Sequence, residues 1–294
     1  MEAGARAQVG RRSLLLGAGA AATLAVTTAP RALAAGTTSP IPPLPGEVWR
    51  DATRTSRLGG KPFEVVDVVQ GGDTARLYVP WTAALKGRKP GAVVWYYHSN
   101  GSTHTAMDSA YNYPGMLCVD QGAVCVCPNF GGSLWTAQRA LDLQRVWSAW
   151  VSGVFSVGVA FARCNSGGGS LMTYTYAKGM VPMMRGAYLA NGTYDNEELY
   201  ARDPQRIGTP YGNDPALIAA TNPARIGQAA WQGKRLKTVV SLVDVVVPPQ
   251  SHGLALADRA RPVAADVQVR YHDSGHSIPS WSHTDMMSTF SGWL

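Results

Sequence analysis

Charge is scarce in this sequence. Asp, Glu, Lys and Arg make up only 15% of its 294 residues, while 46% are hydrophobic. A chain that apolar and that weakly charged buries a core rather than staying disordered. Cysteine is scarce too, and four in this length cannot staple a small disulfide scaffold. The 32 glycines and 19 prolines follow no period, which excludes collagen-like and low-complexity readings. Beyond residue 34 no stretch reaches the ~18 uninterrupted apolar residues of a membrane-spanning helix. What remains is room for one large core or two modest ones, and no internal repeat argues for a second.

The formal charge of +7 hints at nucleic acid until its location is examined. Four of the 26 basic residues (Arg6, Arg11, Arg12, Arg31) and one of the 19 acidic ones (Glu2) lie in the first 34 positions. That leaves 22 against 18, or +4, over the other 260 residues. No Lys/Arg run survives and no basic helix alternates with aromatics, so a nucleic-acid groove is not expected. The front end itself has three zones. Arg11-Arg12 precede an apolar stretch of Ala, Gly, Leu and Val to about Val26, and Ala32-Leu33-Ala34 offers small side chains to a signal peptidase. Paired arginines at that place resemble a twin-arginine export signal. Residues 1–34 are therefore expected to be a cleaved leader handled by the twin-arginine machinery. That leaves a secreted protein without a stable membrane anchor. Residues 35–47, rich in proline, read as a solvated tether, and 48–294 as one domain.

Short apolar runs recur along that domain. Residues 63–69 and 75–80 read as strands around the turn at Gly71-Gly72-Asp73. Residues 91–97 and 122–127 are continuously apolar, as strands covered on both faces are. Further strands are expected at 155–161, 186–190, 236–242 and 267–271. Helices are expected at 111–121, 134–151, from Gly167 onward, and at 285–294. Alternating buried strands and helices give an α/β fold with a doubly wound, mostly parallel sheet. The polar, turn-rich segment 191–233 reads as a small cap-like insertion. Cys125 and Cys127 alternate on one strand face and cannot easily bond each other. The four cysteines are read as buried thiols, with a Cys118 pairing to a strand cysteine left open. They have no histidine at zinc-like spacing, and no metal is expected.

The polar residues then fall at strand ends. Cys164-Asn165-Ser166-Gly167-Gly168 lies between a buried strand and a glycine-rich helix start, the setting of a nucleophile elbow. A turn that sharp demands small neighbours, and Cys164 stands where the G-x-S-x-G pattern has its first glycine. The helix start adds backbone N–H groups and a positive dipole end facing any oxyanion. A seryl nucleophile needs a base, and the base needs a carboxylate to orient it. Asp244 follows the strand at 236–242, and His276 follows the last one. The order Ser166, Asp244, His276, with gaps of 78 and 32 residues, is that of the α/β-hydrolase fold.

On these residues the chain resembles an exported member of the α/β-hydrolase superfamily from about Phe63 to the C-terminus. The resemblance implies Ser166 as nucleophile, His276 as base and acid, and Asp244 as the residue fixing the imidazole tautomer. His98-Ser99-Asn100-Gly101 resembles the family's H-G-x-G loop, with Ser99 replacing glycine. The backbone amides of Asn100 and Gly167 would then hold the oxyanion. Asp195 is the competing acid, and His252, His272 and His283 compete with His276. His98 reads as a loop-shaping residue and His104 as an exposed loop histidine. Tyr97, Phe130, Trp135 and Trp281 are candidates for an acyl or aromatic pocket.

Gly167-Gly168-Gly169-Ser170 lacks the lysine of a phosphate-binding loop. Asn100-Gly-Ser and Asn191-Gly-Thr fit glycosylation sequons that carry little meaning behind a bacterial-type leader. The implied activity is hydrolysis of small-molecule or polymer-derived carboxylic esters through an acyl-enzyme, with no cofactor. A serine peptidase or amidase on the same fold and an inert hydrolase-like binding protein are the alternatives.

Overall fold

Strand β4 (Gly91–Tyr97) is apolar at every position because both of its faces are covered. Val93, Trp95 and Tyr97 point into one buried cluster, Val94 and Tyr96 into another. The same alternation divides β5 (Val124–Pro128), where Val124 and Val126 face one way and Cys125 and Cys127 the other. This period of two separates the interior into layers above and below a single sheet.

The computed structural model describes residues 39–294. Its strands are β1 (Glu47–Thr55), β2 (Pro62–Gln70), β3 (Asp73–Pro80), β4 (Gly91–Tyr97), β5 (Val124–Pro128), β6 (Val157–Asn165), β7 (Met184–Ala190), β8 (Arg235–Ser241) and β9 (Asp266–His272). They line up in the order β1-β2-β3-β5-β4-β6-β7-β8-β9. The first three are antiparallel, and everything from β5 across to β9 runs parallel. The helices are α1 (Asn112–Asp120), α2 (Gln138–Val154), α3 (Gly168–Ala177), α4 (Asn196–Arg202), α5 (Pro204–Gly208), α6 (Pro215–Ala220), α7 (Gly253–Ala260) and α8 (Ser282–Gly292). Trp147 of α2, Met172 of α3 and Leu256 of α7 fill one layer; Met116 of α1 and Phe290 of α8 fill the other. The α/β class and the mostly parallel, doubly wound sheet are as the sequence implies.

Four local differences have physical causes. Residues 39–45 are not a solvated tether: Ile41 and Leu44 are buried in the core, and Arg50 donates to the carbonyls of Ile41 and Pro42. Strand β1 leaves no strand signal in the sequence because two bulges break its alternation, between Glu47 and Trp49 and between Asp51 and Arg54. Strand β6 runs four residues past Phe161. Its Arg163 is wholly buried, with the guanidinium over the Tyr188 ring and near Ser282 Oγ. The last helix starts at Ser282, three residues earlier than its sequence suggests.

All four cysteines are free thiols in the interior. The insertion 191–233 holds helices of only seven, five and six residues over a small cluster of Trp135, Leu199, Ile207, Tyr211 and Ile218. The leader, residues 1–34, lies outside the described residues.

Candidate active site

The parallel strands deliver their loops to one edge of the sheet, where ligands of open α/β sheets bind. Ser166 sits immediately after β6 with φ of 48°, a left-handed conformation rare for a residue with a Cβ. Its amide donates to Ala190 O (3.1 Å), and its carbonyl accepts from Gly169 N (3.0 Å) and Thr193 N (2.9 Å). Phe130, Trp135 and Asn191, all near this edge, also have positive φ. Each such residue costs about 1–3 kcal/mol, and surrounding structure must hold it there.

The glycines after Ser166 are required by close approach. A Cβ at Gly167 would lie 2.8 Å from Asn100 N, and one at Gly168 would lie 2.2 Å from Tyr97 O. The 98–101 loop is thus laid directly on the start of α3. Tyr111 fixes the same junction from below, donating to Tyr97 O (2.5 Å) and accepting from Asn165 N (3.0 Å). This tyrosine joins the ends of β4 and β6, and no motif announces it. Cys164 fits the crowded turn because Gly192 stands opposite, where a Cβ would come within 2.9 Å of the sulfur. The missing first glycine of the elbow pattern is offset across the strand.

Ser166, His276 and Asp244 converge. His276 Nε2 is 2.9 Å from Ser166 Oγ, and His276 Nδ1 is 2.8 Å from Asp244 Oδ2. The Asp244 side chain is 1% exposed, and the imidazole 27%. Asp244 Oδ1 accepts from the amides of Val246 and Val247, both at 2.9 Å. A buried carboxylate held this way acts as acceptor for an Nδ1–H, which leaves Nε2 free to take the serine proton.

Asn100 N lies 2.8 Å from where a Gly167 Cβ would stand, next to Ser166, and neither Asn100 N nor Gly167 N has a partner among the described residues. Beside them opens a small cleft of about 30 Å³ lined by Tyr97, Phe130, Trp135 and Leu171, with Ser99, Asn100, Ser133 and Gly167 among the rest. Tyr97 and Phe130 stack at 5.1 Å. Trp281 is not part of this wall, since it lies under the Arg270 guanidinium at 3.7 Å.

The competing residues go elsewhere. Asp195 caps α4, accepting from the amides of Glu197 and Glu198 at 3.0 and 3.2 Å. His252 is wholly buried against Glu198, and burial lowers its pKa. His283 packs edge-on against Tyr113, and burial with Arg163 nearby brings it down to about 4. His98 bridges Ser99 O and Asn129 O, both at 2.9 Å, tying two loops together. His104 is half-buried at the start of a short helical turn rather than exposed, and it is not among the cleft-lining residues.

His272 has a supporting place. It donates through Nε2 to Asn191 Oδ1 (3.0 Å) and accepts from Ser274 N at Nδ1 (3.2 Å). Asn191 in turn donates to Gly275 O (3.2 Å) and Ser277 O (3.1 Å), the carbonyls on either side of His276. Asn191 is buried with both ends of its amide engaged, so its sequon has nothing to offer a glycan. Its isolation from any motif hides this role in the sequence. Among the described residues, no three His, Cys, Asp or Glu side chains group as metal ligands would.

The sheet order, the strand-to-helix elbow and the loops at its edge are those of the α/β-hydrolase fold, which this chain has. An S-formylglutathione hydrolase from Agrobacterium tumefaciens superposes with a TM-score of 0.64 at 14% identity, covering 85% of this chain and all of that one. An acetyl xylan esterase from Paenibacillus sp. R4 gives 0.59 at 13%, over 84% of this chain and 88% of the other. The acylaminoacyl peptidase of Pyrococcus horikoshii gives 0.59 at 14%, over 79% of this chain but only 42% of the peptidase. No family model and no curated protein matches the sequence.

Proposed function

We propose that this protein is an exported serine hydrolase that cleaves carboxylic esters through an acyl-enzyme. The observation carrying this reading is the chain Ser166 Oγ–His276 Nε2–Nδ1–Asp244, closed at 2.9 and 2.8 Å beside two unengaged amides. Ser166 Oγ attacks the ester carbonyl while its proton passes to His276 Nε2. The carbonyl oxygen, now an oxyanion, is met by the amides of Asn100 and Gly167 and by the positive end of α3. His276 returns the proton to the departing alcohol, and water, deprotonated by the same nitrogen, releases the acid. Asp244 keeps the imidazole in the tautomer that both steps need.

The small cleft walled by Tyr97, Phe130, Trp135 and Leu171 suits an ester with a short apolar acyl group, and an esterase is among the chains of like fold. Nothing in the cap is long enough for the apolar helix of an interfacial lid, its longest helix being seven residues. Small-molecule or polymer-derived esters are therefore the substrate class. Export rests on Arg11-Arg12, the apolar stretch and Ala32-Leu33-Ala34, and the twin-arginine machinery would be the partner in that step. The test is hydrolysis of p-nitrophenyl esters from acetate to palmitate by the mature protein and by Ser166→Ala. Turnover on the shorter esters, lost in the variant, is expected. Folded protein that leaves every ester intact but cleaves the matching p-nitroanilides would make it an amidase. Inertness on both would leave a binding protein.

A further inference from the structure

Asp244 and Val247 are buried, but the rest of their loop is open. Leu242, Val243, Val245 and Val246 are 59, 62, 81 and 46% exposed, so apolar burial does not fix their backbone. Hydrogen bonds must do so: Asp244 N donates to Ser241 O (3.1 Å) within the loop, and others come from the cap. The two amides that cradle Asp244 Oδ1 belong to the peptide groups whose carbonyls are Val245 O and Val246 O. Arg202, at the end of α4, donates to both: Nη1 lies 3.4 Å from Val245 O and 3.2 Å from Val246 O, and Nη2 lies 3.2 Å from Val246 O. A cation at a peptide's oxygen strengthens its N–H as a donor, because bonds in series polarise one another.

The guanidinium is itself anchored. Its Nε is 2.7 Å from Glu198 Oε1 and its Nη2 is 2.9 Å from Glu198 Oε2, the paired geometry that suits a planar fork. Glu198 Oε2 is also 3.1 Å from His252 Nε2. The other nitrogen of that buried ring accepts from Tyr194 N (3.0 Å) and Asp195 N (3.1 Å), so Nε2 carries the hydrogen and donates to the carboxylate. One hydrogen-bonded series therefore runs His252, Glu198, Arg202, two peptide groups, Asp244, His276, Ser166.

We propose that Arg202 is a positioning residue for Asp244, through which the cap sets the orientation of the catalytic imidazole. The assignment rests on the hydrolase reading above. It makes the cap a working part of the acid loop. The requirement is geometric: one rigid fork must meet the paired Glu198 oxygens and both carbonyls together, and a lysine ammonium, a single point of charge, cannot keep that paired contact.

The test is a double-mutant cycle between Arg202→Ala and Asp244→Asn, with Arg202→Lys and Glu198→Gln beside it, read as kcat and KM on p-nitrophenyl acetate. The same proteins are examined by NMR for the low-field proton of His276 Nδ1–H. Arg202→Ala is expected to lower kcat about 10- to 100-fold with KM within about twofold, the size of effect a small misplacement produces. Arg202→Lys should recover little of that, and Glu198→Gln should fall between. In the Asp244→Asn background the Arg202→Ala change should alter kcat by less than about twofold. An equal loss with and without Asp244, or an unmoved kcat, would overturn the proposal. Should Arg202→Ala not fold, Arg202→Lys carries the cycle. If the wild-type protein turns over no ester, the hydrolase reading fails. The relay is then judged by the low-field proton alone, which Arg202→Lys must shift or broaden for it to stand.

Discussion

Around Ser166, backbone meets backbone: Gly167 lies against Asn100, Gly168 against Tyr97, and Tyr111 binds the strand ends together. Around His276, side chains reach across loops: Asn191 clasps the carbonyls on both sides of the imidazole, His272 holds Asn191, and the acid's cradle leans on Arg202. The two sides should therefore fail differently. The Ser166 side has no room for a Cβ at Gly167 or Gly168. The His276 side should tolerate substitution structurally but lose geometry, because each hydrogen bond there is a separate constraint.

The largest expected effect tests the chemistry of the His276 side with its shape preserved. Asp244→Asn, nearly isosteric, should lower kcat by about four orders of magnitude through the wrong imidazole tautomer while thermal stability changes little. A comparable loss of stability would mean that both sides are held by packing. Next comes Gly168→Ala, which puts a methyl 2.2 Å from Tyr97 O, a backbone atom unable to turn aside. Denaturant unfolding should show a loss of about 3 kcal/mol or more, with activity gone along with the oxyanion loop's position. Wild-type stability there would contradict the backbone-to-backbone account.

Asn191→Ala should fall between the extremes. The protein should fold with a slightly lower midpoint, and kcat should drop up to about 100-fold as the loop carrying His276 loosens. Steady-state kinetics beside a thermal melt separates the two quantities. The smallest effect belongs to Cys164→Ala, which removes one buried sulfur from a site already relieved by Gly192. About 1 kcal/mol of stability and less than a twofold change in turnover are expected. A large activity loss would make the thiol more than a filler.

The same contrast explains what could be read from the sequence. The strand-to-helix glycine run and the order of Ser166, Asp244 and His276 are local signals. A sharp turn permits few residue types, and each partner directly follows an apolar run. The sheet was legible for a related reason, since strands covered on both faces are continuously apolar. Tyr111, Asn191 and Arg202 gave no such signal. Asn191 acts on carbonyls 84 and 86 residues away, and Arg202 on carbonyls 43 and 44 away. Any asparagine or arginine looks the same until the fold brings its partners near. Strand β1 was hidden by its bulges, and residues 39–45 by proline content that masked Ile41 and Leu44. The small cap was visible only as a polar, turn-rich interval, without a hint that its first helix grips the acid loop.

The most direct test of the central claim is the intact mass of the mature protein after exposure to a p-nitrophenyl dialkyl phosphate. The reagent leaves a stable phosphoryl group on an activated serine. The account predicts one adduct per chain, mapped to Ser166, absent from Ser166→Ala and strongly slowed in His276→Ala. An unmodified Ser166 in protein that still hydrolyses esters, or an adduct on another residue, would contradict it.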